Sequence, residues 1–78
     1  MLLSLQEQIR QILDDFETTS SEKIIKSLNE IKIHFKSDLT REYLQGKIDA
    51  VSKSDDESER KKLCKNLIPY LDWYLQGN

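Results

Sequence analysis

Apolar residues recur along this chain at helical spacing, in four blocks separated by short polar stretches. Leu2, Leu5, Ile9, Ile12 and Phe16 are spaced 3, 4, 3 and 4 residues apart, which predicts a helix from about Leu2 to Phe16 with one apolar face. Leu13 widens that face. Glu17-Thr18-Thr19-Ser20-Ser21 then interrupts the pattern, and Thr19 with Glu22 three residues later forms a capping-box motif. The second block predicts a helix from about Ser20 to Lys36, with Ile24, Leu28, Ile31 and Phe35 on its face, Ile25 beside them and Ile33 nearly opposite. Ile31-Lys32-Ile33-His34-Phe35 also alternates like a strand, but one strand without a partner is not stable, so helix is preferred.

The third block predicts a helix from about Asp38 to Ser52, with Ser37-Asp38 as its N-cap. Leu44, Ile48 and Val51 form one stripe; Leu39, Tyr43 and Ala50 form another, with Lys47 projecting between them. A helix this broadly apolar is expected to contact two neighbours. No Gly or Pro separates the second and third blocks, so one bent helix and two helices are both open. Residues 52–58 are the most polar stretch, and Ser54 with Glu57 is a second capping-box motif. Asp55, Asp56, Glu57 and Glu59 suit the positive end of the helix that follows, from about Asp55 to Gln76 with Gly77 past its end. Leu63, Leu67, Leu71 and Tyr74 form its inner stripe, flanked by Cys64, Ile68 and Leu75, and Pro69 predicts a kink. The fold class expected is all-α: one domain over residues 1–78, a compact antiparallel bundle of three to four helices.

Composition narrows this picture. The 78 residues are 37% hydrophobic and 33% charged, a lean supply of apolar side chains for a domain that must build a core alone. Surface left apolar by folding is therefore expected to be buried against another chain, and a homodimer at micromolar concentration is the first expectation. The formal charge of −2 is spread evenly: residues 1–36 hold five Lys/Arg and six Asp/Glu, and residues 37–78 hold seven and eight. Neither the basic footprint of a nucleic-acid binder nor a polybasic membrane anchor is present. No apolar run approaches a membrane span, the N-terminal residues lack the pattern of a secretion signal, and Cys64 is the only cysteine. These features lead to the expectation of a cytoplasmic protein with no membrane role.

Candidate chemistry is sparse. His34 is the only histidine and has no companion ligand or nucleophile in the sequence, so a structural role near a helix C-terminus is favoured. Cys64, beside Lys61, Lys62 and Lys65, could be an activated thiol, but a half-buried helix residue is the better reading. Asp14-Asp15 and Asp55-Asp56-Glu57 read as solvated helix ends, because neither cluster lies on an apolar face as an acid/base pair requires. Asp55-Asp56-Glu57 also lacks the spacing and central glycine of an EF-hand loop, and with Gly46 and Gly77 the only glycines there is no phosphate-cradling loop. Arg60-Lys61-Lys62-Leu63-Cys64-Lys65 follows an acidic run of similar size, so the two fields largely cancel. The chain is accordingly expected to be no enzyme and to hold no metal or cofactor.

The most promising surface lies on the last helix. On an unbroken helix Trp73 projects about 140° from the inner stripe, and Tyr70, Asn66 and Lys62 continue the same outer row. Outward Trp and Tyr are typical interface anchors, so Tyr70, Trp73, Asn66 and Lys62 are the candidate partner-binding residues. The competing reading is that the Pro69 kink turns Trp73 inward. The function expected is stoichiometric binding of another protein through a helical face, as an adaptor, chaperone, antitoxin-like inhibitor or immunity-type protein. The alternative is a helix-turn-helix DNA-binding regulator, for which Thr40, Arg41 and Gln45 are a thin recognition set and a pI of about 5.3 is unfavourable.

Overall fold

Each polar break in the sequence closes one helix and opens the next, and a computed structural model that describes residues 4–77 shows how. Five α-helices follow in order: α1 (Leu5–Asp14), α2 (Ser21–Lys32), α3 (Asp38–Lys53), α4 (Glu57–Lys65) and α5 (Ile68–Leu75), with a 3-10 turn at Phe16–Thr18. The described residues are all-helical in class and contain no strand, but the helices number five where three to four were expected.

The caps explain most boundaries. Ser4 accepts the Glu7 N–H at the start of α1. Ser20, not Thr19, caps α2 by accepting the Lys23 N–H at 3.3 Å. Thr19 instead donates its hydroxyl at 2.8 Å to the Asp15 carbonyl, which also accepts the Thr18 and Thr19 N–H groups in the turn that follows α1. Ser37 accepts the Thr40 N–H, so the second and third blocks are two helices and not one bent helix. Between them α2 ends at Lys32, so the alternating segment Ile31–Phe35 is the last turn of α2 followed by a turn at Ile33 and His34, and Arg41 reaches back to pair with Asp38 and donate to the Phe35 carbonyl.

The last block breaks where a kink was expected. Asn66 and Leu67 form a tight turn with Asn66 N–H to Leu63 O and Leu67 N–H to Cys64 O. Pro69 falls in the first turn of the new helix α5, where its missing N–H would have had no partner anyway. Gly77, at φ 85°, closes α5 in the left-handed conformation that glycine adopts without steric cost.

α2 is the central helix and touches α1, α3, α4 and α5. Its Ile24, Leu28 and Ile31 are fully buried among Ile9, Ile12, Leu44, Ile48, Val51, Leu67 and Leu71. Ser21 and Ser27 are buried too, small enough to let neighbouring helices approach. Two polar ties hold α4 to the connection between α1 and α2. Glu57 accepts the Ser21 N–H at 2.9 Å and the Ser21 hydroxyl at 2.6 Å, so its carboxylate serves the N-terminus of α2. Lys61 donates to the Phe16 and Thr19 carbonyls and lies 4.4 Å from the Phe16 ring centroid. The expected box of Ser54 and Glu57 is therefore not formed: Asp56 caps α4 through the Glu59 N–H, and Glu57 is used elsewhere.

Candidate functional site

The two apolar stripes of α3 meet different fates. Leu44, Ile48 and Val51 are buried against α2 and α4. Leu39 and Tyr43, one turn apart on the second stripe, are 76% and 59% exposed. The two neighbours of α3 thus share its inner stripe and leave the outer one uncovered. Gly46 and Ala50 continue that outer stripe, and a Cβ placed on Gly46 would meet nothing within 4 Å. A mid-helix glycine costs about 1 kcal/mol against alanine. No contact within the fold requires it there.

Beside this stripe a shallow groove of about 470 Å³ runs between α3 and the corner where α4 meets α5. Tyr43, Lys47 and Ala50 form one wall, and Leu63, Asn66 and Tyr70 stand on the other. Lys47 lies 5.2 Å from the Tyr43 ring centroid, as a cation over an aromatic face. The Tyr70 hydroxyl is pushed above the ordinary tyrosine range, mainly by burial and then by the neighbouring Tyr43 phenol, with Lys47 acting weakly the other way. Tyr70 is therefore a neutral hydrogen-bonding group throughout the physiological range.

The turn at Asn66–Leu67 divides the row Lys62, Asn66, Tyr70 and Trp73 between the end of α4 and α5. Asn66 and Tyr70 line the groove. Lys62 lies instead on a separate depression with Phe16, Glu17, Ser58, Lys61 and Lys65. Trp73 is half-buried and stacks on Phe35, centroids 4.1 Å apart and planes 17° from parallel. Tyr70 meets the same Phe35 ring edge-on at 5.8 Å. Phe35, itself buried, thereby ties the end of the second block to α5.

The remaining candidates are held by the fold. His34 is exposed and tilted against the Tyr74 ring at 5.2 Å. Cys64 is buried, and burial raises its thiol pKa against the opposing effect of Lys61 and Arg60, which keeps it in the unreactive protonated form. Of the basic cluster in α4, Lys61 is spent on backbone carbonyls. No grouping of three or more His, Cys, Asp or Glu side chains able to hold a metal occurs among the described residues. No helix among them is long and apolar enough to cross a membrane.

Leu39, Tyr43 and Lys47 were legible in the sequence only as helix-face residues. The excess apolar width of α3 was the available signal for a surface. Comparison with known proteins assigns no family: no family model matches the chain, nor does any curated protein or solved structure.

Proposed function

We propose that this protein is a non-enzymatic binding module that docks another protein chain on the outer stripe of α3 and the adjoining groove. The observation that carries this reading is the exposure of Leu39 and Tyr43 side by side on a helix whose other stripe is fully buried. Large apolar side chains left in water contribute nothing to folding, and grouped exposure of this kind marks interaction sites. Tyr43 and Tyr70 add rigid aromatic surface with a polar tip, the residue type most often found at binding hot spots. Adaptors, chaperones, inhibitors and immunity-type proteins all work in this way, by occupying a partner rather than transforming it.

The test uses affinity capture from the source cell with three forms of the full chain: wild type, Leu39→Asp/Tyr43→Asp, and a control with Lys26→Asp on the exposed side of α2. The wild type and the control are expected to retain the same protein, and the double variant is expected to lose it while keeping its helical circular dichroism. Equal retention by all three would place binding elsewhere on the molecule.

A further inference from the structure

We infer that the occupant of the α3 outer stripe is a second copy of this chain, with the two α3 helices side by side and parallel. The inference rests on the binding surface proposed above and adds its partner and its orientation. Leu39, Tyr43, Gly46 and Ala50 are spaced 4, 3 and 4 residues apart, the seam of a seven-residue repeat. In that repeat Glu42 flanks the seam on one side and Lys47 on the other, five residues further along. This is the register in which one helix of a parallel pair sets its acidic flank against the basic flank of the other. Two-fold symmetry then makes the contact between Glu42 and Lys47 twice.

The opposite orientation is disfavoured by the same charges. An antiparallel two-fold pairs like flanks, bringing Lys47 against the partner's Lys47 and placing Glu42 near the partner's Asp49. Neither Glu42 nor Lys47 is engaged in an ion pair within the fold, where Arg41 with Asp38 is the pair formed among the described residues. Both are exposed, and the contact of Lys47 with the Tyr43 ring keeps its ammonium beside the seam. Gly46 supplies what close approach of two backbones needs at the middle of the seam, open space where a side chain would stand. Tyr43, with Lys47 over its ring, belongs to the seam and also lines the groove, so its outer edge is covered by the second helix. The seam ends at Ala50, because Lys53 takes the next seam position. Three turns of contact imply a reversible, micromolar dimer rather than a permanent one.

The test is cross-linking in the full chain. Cys64 is buried, so an introduced thiol is the reactive one. In the parallel pair Leu39→Cys lies opposite its own copy, within disulfide reach, and mild oxidation is expected to give a covalent dimer. In an antiparallel pair centred on Gly46 the two thiols stand roughly 21 Å apart, from 1.5 Å per residue, and no cross-link forms. Sedimentation of charge variants supplies the second arm. Glu42→Lys is expected to weaken dimerisation about ten-fold or more, and Glu42→Lys with Lys47→Glu to restore it to within about three-fold of wild type. A chain that stays monomeric at millimolar concentration overturns the inference, as does a dimer that Leu39→Cys cannot trap or that Glu42→Lys leaves intact. Should the chain be monomeric while the Leu39→Asp/Tyr43→Asp variant still loses a captured protein, the second copy is excluded and the docking surface stands.

Discussion

Glu57 is a residue whose role runs against its local sequence. Its spacing from Ser54 matches a capping box, but its two oxygens accept the hydroxyl and N–H of the buried Ser21 at the start of another helix. Local spacing is blind to a contact between residues so far apart in the chain. These two hydrogen bonds, the hydroxyl's first, hold the Glu57 carboxyl below the usual range. A depressed folded pKa stabilises the fold above the unfolded value, about 4.3, and that contribution is lost as pH falls through the folded value. Glu57→Gln is therefore expected to lower the melting temperature near neutral pH, with the difference from wild type shrinking below about pH 4. Thermal melts across pH 2–7 check this, and a constant difference would deny the carboxylate its role. Trp73 carries the second prediction at this scale. Stacked on Phe35 and half-buried, it is expected to cost about 2 kcal/mol of stability on truncation to alanine, between the values for core and surface aromatics. A loss below about 0.5 kcal/mol in urea unfolding would put the indole outside the fold.

At the scale of elements, hydrophobic periodicity located the helical blocks, and most of their inner stripes lie in the core: Ile9 and Ile12, Ile24, Leu28 and Ile31, Leu44, Ile48 and Val51, Leu67 and Leu71, whereas Leu5, Phe16, Leu63 and Tyr74 of the same stripes are only partly buried and Cys64, placed on a flank, is fully buried. Ser37 marked the start of α3 and Gly77 the end of α5. What stayed hidden were choices between neighbouring residues and the effect of a break on everything beyond it. Ser20 and Thr19 can both cap a helix; Ser20 does so, while the Thr19 hydroxyl is turned back to the Asp15 carbonyl. Pro69 announced a disturbance, but a projection through an unbroken helix could not show that Lys62 and Tyr70 would lie on different depressions or that Trp73 would meet Phe35. Gly46 permits a direct test of the outer face of α3. Its neighbourhood is open, so Gly46→Ala is expected to raise the stability of the monomer by up to about 1 kcal/mol through helix propensity alone. Unfolding in denaturant at concentrations where the chain is monomeric measures this, and destabilisation would reveal a tight contact within the fold.

The whole molecule has a radius of gyration of 12.0 Å, close to the roughly 11.5 Å expected for a folded chain of this length. Its apolar residues are economically used: most Ile and Leu of the inner stripes are buried, and among the described residues the large hydrophobic side chains left exposed are Ile33, Leu39 and Tyr43. Two of those three stand together on α3, where the sequence had already shown more apolar width than one core contact needs. A small domain with a lean core that leaves such a strip in water can recover its burial energy through association. The partner proposed for it was not legible in composition, because a balanced charge says little about how charges flank one helix. The most direct measurement is sedimentation equilibrium of the wild type and of Leu39→Asp/Tyr43→Asp from micromolar to millimolar concentration. The wild type is predicted to shift from 9.2 kDa to twice that mass, and the double variant to remain at 9.2 kDa throughout. A wild type that keeps the monomer mass at every concentration, or a dimer that survives the double substitution, would contradict the account.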